Sequence, residues 1–380
     1  MIDTATQASL RDAIRVCISH DRSVLDELRS EIRPLRSSTR PIHPRATTSI
    51  SLVATDGGNN QLQFDPFLIQ LIRVVDSSEN EYVLEAVSPT TPVDVLSARQ
   101  FDLRGKPITA LGEMMVFLGA SSLSQLSPMI RPGDGGVPRA PSWVGVYREL
   151  VEWATLFKLL TKDFGTDTLI VFDGFLRSKV FARDLFARLI DGMRERIEDQ
   201  QIRSRRKIYL AGVAKRSKVI DRYRLAMLLE RVLVTGYPAY VTVPRDVEAK
   251  AYVWNEYARG NEVAAAGGEA NKFVGGKMFL VKFGSSTHDP IWPIDIFEAQ
   301  EGEAQAILGS MLADAINGFP VPLYPRCLQK AHEHAAIVGF DIDMLQDAII
   351  DEVRDGLGVE AEALDSMLLQ DADPAGRRYR

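Results

Sequence analysis

Two aspartates stand where apolar runs give way to glycine. In Thr168 to Lys179, TLIVFDGFLRSK, the residues Leu169, Ile170, Val171 and Phe172 lead straight into Asp173 and Gly174. In Ser49 to Asn60, SISLVATDGGNN, a second β-rich run leads to Asp56, Gly57 and Gly58. A continuous apolar run bounded by turn residues reads as a strand buried on both faces. A carboxylate at the C-terminal end of such a strand is held at the rim of a sheet, where α/β proteins build their sites. Carboxylate oxygens so placed suit hard divalent cations. Taken singly, an Asp-Gly pair is as often a turn. Two of them raise the question of whether the intervening chain brings them together.

The elements between them answer in outline. Residues 7 to 37 read as a helix, followed by Pro34, Pro41 and Pro44 as breaks. Strands are expected at 47 to 55, 67 to 75 and 81 to 87, with connections short enough for an antiparallel meander. Residues 92 to 127 are mixed and partly helical, and 131 to 141 is a loop by composition. Ser142 is positioned to cap a helix over 143 to 162, whose core face carries Val146, Leu150, Trp153, Phe157 and Leu160. The strand ending in Asp173 follows. Next come a helix over about 178 to 199, a strand at 207 to 215 and a helix at about 219 to 233. Residues 257 to 277 have loop composition, 278 to 283 and 291 to 297 are strands, and a helix lies near 301 to 316.

Three meandering strands, a helix, a strand ending in Asp, a helix and a further strand make the element order of a ribonuclease H-like domain. The expected fold class is therefore α/β, a mixed sheet flanked by helices, with helical insertions and an N-terminal helical segment. In that order the first strand and the fourth each carry an Asp, here Asp56 and Asp173, and the helix before the fourth strand carries a Glu. Glu152 is preferred for that place, because it stands near the edge of the apolar face; Glu149 is the alternative. Such a carboxylate set suits two-metal hydrolysis of a phosphodiester, with ions about 4 Å apart, one activating the attacking water and the other stabilising the leaving oxygen.

The chain resembles the NurA nucleases, end-processing partners of the HerA hexameric ATPase. The resemblance is carried by TDGG at 55 to 58, RELVEWATLF at 148 to 157, LIVFDGFLRSK at 169 to 179 and LAGVAKRSKVIDRYRLAM at 210 to 227. STHDPIWPID at 286 to 295 and FPVPLYPRCLQKAHEHA at 319 to 335 extend it, so that it spans roughly 45 to 340. It implies a metal-dependent 5′-to-3′ deoxyribonuclease with possible single-strand endonuclease activity, using Mn²⁺ or Mg²⁺, two ions in all. It implies Asp56, Glu152 and Asp173 as catalytic metal ligands, and His288 as a further ligand or proton-transfer group. Asp289 would contribute only if it, rather than His288, faced the site. Lys215 would meet a phosphate as a point charge, with Arg216 and Lys218 along the DNA backbone. The partners so implied are DNA ends, a HerA-like ATPase and a second copy of the chain. Segments 92 to 141 and 257 to 277 are insertions relative to compact members. On this reading residues 1–45 are an N-terminal helical segment, 46–340 the nuclease domain and 341–380 a helical segment with a polar tail.

Composition sets the bounds. At 380 residues and 46% apolar the chain can bury a large core. No apolar run reaches the roughly 18 residues a membrane helix needs, and the N-terminus has no signal-peptide pattern. Cys17 and Cys327 are the only cysteines, which suits a reducing, cytoplasmic compartment and excludes a Cys-based zinc cluster. A net charge of −6 means that DNA must be met by a local basic patch. His332 and His334 read as helix-surface histidines. Two alternatives remain: a catalytically silent DNA-binding or scaffold subunit on an ATPase ring, and an actin-like-fold ATPase. The latter would need a small-residue phosphate loop where this chain has the bulky, basic GFLRSK.

Overall fold

The computed structural model describes residues 4–45, 48–54, 61–64, 67–137, 142–252, 272–336 and 340–358. Asp56 with its two glycines, most of the 257–277 insertion and the tail from 359 lie outside the described residues. The strands are β1 (Arg40–Pro41), β2 (Thr48–Ala54), β3 (Gln61–Phe64), β4 (Phe67–Asp76), β5 (Glu81–Val87), β6 (Thr168–Asp173), β7 (Ile208–Val213), β8 (Ala239–Thr242), β9 (Gly276–Lys282) and β10 (Ile291–Phe297). The helices are α1 (Thr4–Ile32), α2 (Val93–Ala98), α3 (Ala110–Leu118), α4 (Leu123–Leu126), α5 (Trp143–Leu159), α6 (Leu185–Ser204), α7 (Lys218–Leu229), α8 (Arg245–Ala251), α9 (Ala304–Ala315), α10 (Arg326–Ala335) and α11 (Phe340–Leu357). Among the described residues no helix is long and apolar enough to cross a membrane.

All the strands join one mixed sheet, ordered β1-β8-β9-β10-β7-β6-β2-β4-β3, with β5 on β4. Its middle reads β5-β4-β2-β6-β7. The β5-β4-β2 pairs are antiparallel, and β2-β6-β7 are parallel. This is the ribonuclease H-like core, with β10, β9, β8 and β1 added antiparallel beyond β7. The meander gains β3, which pairs with the first half of β4.

Alternation along β6 decides which layer each side chain joins. Ile170 and Phe172 pack in one core with Leu150, Trp153 and Phe157 of α5 and Phe186 of α6. Leu169 and Val171 pack in a second core with Met311 of α9 and Leu328 and Ala331 of α10. The next residue of that second set is Asp173. A third core joins the end of α1 to α7, β8 and β9. Burial of Leu150 and Phe157, both essentially inaccessible, stabilises the α5 layer by roughly 1.5–3 kcal/mol each.

Two local expectations change. Ser142 occupies the N-cap place of α5, but its side chain makes no cap hydrogen bond; Trp143 instead anchors the turn, donating from Nε1 to Pro89 O at 2.9 Å. The helix expected from 178 begins only at Leu185. Residues 176–178 are held extended against 273–275, with Gly275 N donating to Leu176 O at 2.8 Å and Ser178 N to Phe273 O at 3.0 Å. Arg177 is drawn wholly inside: Nε and Nη2 donate to the two oxygens of Asp295 at 2.7 and 2.8 Å, and Nη1 to Glu248 Oε2 at 2.9 Å. A buried guanidinium fixed by two carboxylates cannot sit on the exposed first turn of a helix.

Candidate active site at the strand ends

Asp173 ends β6 beside the end of β2, where Leu52 pairs with Phe172 in parallel register. Asp56 follows Ala54, the last residue of β2, by two positions in the chain. Gly174 then turns the chain with φ of 135°, a conformation only glycine adopts without strain. The turn is held by Gly174 N donating to Val213 O at 2.9 Å. It passes so close to β7 that a side chain at Gly212 would run into Gly174 O.

Two cationic or titratable side chains meet Asp173. Lys215, two residues past the end of β7, brings Nζ to 3.8 Å from Asp173 Oδ2. His332 on α10 brings Nε2 to 3.1 Å from the same oxygen. That nitrogen is buried and has no formed hydrogen bond among the described residues, so its closeness to Asp173 lacks hydrogen-bond alignment. The Tyr324 hydroxyl is likewise buried without a hydrogen-bond partner among the described residues. Burial pushes its ionisation upward, and the negative charge of Asp173 adds to that. A carboxylate, a buried imidazole nitrogen and an adjacent ammonium form a compact polar group at a strand end.

The two glutamates of α5 are used differently. Glu149 is partly buried and accepts from Ser178 Oγ at 2.5 Å; its partial burial raises its pKa, opposed by that hydrogen bond. Glu152 is paired one turn along with Arg148, Nε to Oε1 at 3.5 Å. Both sit on the helix that covers the opposite face of the sheet from α10. Among the described residues no three His, Cys, Asp or Glu side chains converge as a metal-holding group; Asp56, which the sequence pairs with Asp173, lies outside them.

His288 lies in an exposed turn before β10, and its imidazole has no hydrogen bond or ion pair among the described residues. It lines a cavity together with Lys215 and Arg216. Residues 286 to 289 form a turn rather than a strand, so strand alternation does not choose between His288 and Asp289. The Asp289 carboxylate accepts from Ser286 N at 2.7 Å and closes the turn. Lys218 is exposed in the first turn of α7, behind Ser217, whose hydroxyl accepts from Val219 N at 3.1 Å.

His332 is the residue that sequence reasoning passed over. Its signal was its spacing: Leu328, Ala331 and Ala335 form the buried stripe of α10, and His332 stands four residues after Leu328 at the edge of that stripe. No protein-family model matches this chain, and no curated protein matches it significantly. The fold is similar to the crystal structure of the NurA nuclease from Sulfolobus solfataricus, with 9% sequence identity, a TM-score of 0.45 and coverage of 94% of this chain and 99% of that one.

Proposed function

We propose that the chain is a metal-dependent nuclease that hydrolyses phosphodiesters at the β2–β6 strand ends. The observation that carries the reading is the convergence of Lys215 and His332 on Asp173, at the strand end beside β2. The donor set fits a divalent cation: the buried, unbonded Nε2 of His332 and Oδ2 of Asp173 lie side by side, as two ligands of one ion would. Asp173, His332 and Asp56 would hold Mn²⁺ or Mg²⁺; Glu152 and Glu149, the further carboxylates the sequence suggests, sit on the helix over the opposite face of the sheet and are engaged by Arg148 and Ser178. When bound, the metal lowers the pKa of water and screens the charge of the phosphate.

The remaining roles belong to the chain itself. Asp173 is fixed by the end of the strand, and Gly174 turns the chain directly after it. His332 with Nδ1 protonated leaves Nε2 as the lone-pair donor. Lys215, half exposed beside Asp173, is placed to hold a non-bridging phosphate oxygen. Arg216 and Lys218 extend positive charge along the strand path. His288 keeps the catalytic role suggested by the sequence only as a rival to His332, and geometry favours His332.

The finer reading rests on the resemblance: 5′-to-3′ polarity, end resection in DNA repair, a homodimer and a HerA-like ATPase partner. The test is incubation of labelled single-stranded and duplex DNA with the purified chain in Mn²⁺, with and without chelator. Chelator-sensitive fragments are expected; intact DNA across metals, with and without the ATPase, would leave the silent-subunit reading standing.

A further inference from the structure

Lys215 has a second neighbour besides Asp173. Behind it opens a cavity of about 520 Å³ between α7 and the turn that carries His288. Its walls are cationic: Lys215, Arg216, Arg224 and Lys282 outnumber two carboxylates. One of these, Asp289, is occupied by Ser286 N; the other, Asp221, is exposed. Arg216 and Arg224 have no hydrogen bond or ion pair among the described residues, although an isolated guanidinium gains from any anion it meets. Lys282 is almost fully buried at the far wall and donates to the carbonyls of Thr235 and Ser286.

The floor is of the opposite kind. Ile220 and Leu228 share one face of α7 with Arg224 and are the floor's accessible apolar part, backed by the buried Met227, Val232 and Leu233 of the third core. An apolar floor under convergent cations, in a volume within the range of small-molecule sites, suits a ligand with one flat apolar end and one anionic end. An internal phosphodiester would be served by the rim alone.

We propose that this cavity receives the terminal nucleotide of a nucleic-acid strand, its end phosphate against Arg216 and Arg224 and its base over Ile220 and Leu228. Lys215 is the wall shared with Asp173, so a strand end seated here would set the distance from the end to the scissile bond. The proposal rests on the nuclease reading for its consequence, but not for its binding step.

The test has two arms. Cleavage of oligonucleotides bearing a 5′-phosphate, a 3′-phosphate or neither is compared for the wild-type chain and Arg224→Ala. One phosphorylated end is expected to raise kcat/KM about tenfold over hydroxyl ends, and Arg224→Ala to bring that ratio close to one. No advantage for either phosphate, or an advantage that survives Arg224→Ala, overturns the proposal while leaving the nuclease reading intact. In the second arm, calorimetry measures binding of a deoxynucleoside monophosphate, the matching nucleoside and inorganic phosphate. Tighter binding of the monophosphate than of either part, weakened by Arg224→Ala, supports the site even if no DNA is cut; in that case the nuclease reading alone falls. Inorganic phosphate binding as tightly as the monophosphate removes the base-binding half and overturns the terminal-nucleotide assignment.

Discussion

His332 Nε2 lies 3.1 Å from Asp173 Oδ2, joining the end of a central parallel strand to a helix near the far end of the described chain. With α10 packed on the second core, the contact gives Asp173 a buried nitrogen neighbour that has no hydrogen bond among the described residues. It also distinguishes two histidines, of which the sequence puts His288 forward and reads His332 as a helix-surface residue. His332 sits against the carboxylate, and His288 lines the basic cavity beside it.

The two histidines should therefore fail differently. His332→Ala is expected to lower the single-turnover cleavage rate by about a hundredfold, with DNA affinity nearly unchanged, because a ligand or proton-transfer group acts mainly in the transition state. His288→Ala is expected to change the rate less. Single-turnover kinetics in Mn²⁺ on both variants decides; the reverse order would return the site role to His288.

Arg216→Ala and Lys218→Ala should weaken DNA binding by similar factors across sequences. Each should lower the slope of log affinity against log salt by up to about one. Titration of labelled single-stranded DNA in Ca²⁺ at several salt concentrations measures both. An unchanged slope would take these side chains off the DNA path.

Arg177 carries stability rather than chemistry. Its side chain is wholly inaccessible and joins Asp295 through two hydrogen bonds and Glu248 through one. Arg177→Met leaves two buried carboxylates short of their partner, a loss of about 3–5 kcal/mol. Urea denaturation should show the midpoint falling sharply, and Arg177→Lys should recover little of it, since an ammonium cannot reproduce the forked contact. A midpoint close to wild type in Arg177→Met would show that the network contributes little.

Glu149 gives a pH signature. Burial raises its folded-state pKa above the ordinary 4.5. Its contribution is therefore present below about pH 4.5 and lost as pH rises through the raised value. Replacing it with a neutral isostere, Glu149→Gln, should leave stability unchanged in acid and increase it relative to wild type toward neutral pH, with Ser178 still able to donate to the amide oxygen. Thermal unfolding across pH 4 to 8 tests the sign. A variant uniformly less stable at neutral pH would mean that the charged carboxylate is stabilising.

The central sheet was legible because its strands announce themselves. The Leu169–Phe172 run is buried on both faces, and its Asp-Gly end marks the rim. The order β5-β4-β2-β6-β7 follows from the sequence order of the elements. Less was legible where long-range contacts override local pattern. Arg177 in LRSK reads as a basic surface residue until Asp295 and Glu248, both distant in sequence, are brought to it. The same burial delays α6 to Leu185. β8 is four residues long and carries little periodic signal of its own. His332 was masked by its setting: in KAHEHAA it is flanked by charged residues, and only the packing of Leu328 and Ala331 on the second core shows which way it faces.

Single-turnover cleavage of labelled DNA by Asp173→Ala in saturating Mn²⁺ tests the central claim most directly. Asp173 lies at the strand end where Lys215 and His332 converge. The expected result is a folded protein that binds DNA in Ca²⁺ and cleaves it about a thousandfold more slowly than wild type, or not measurably, as loss of a metal-binding carboxylate removes several kcal/mol of transition-state stabilisation. Cleavage at close to the wild-type rate would contradict the account and move the chemistry away from the β2–β6 strand ends.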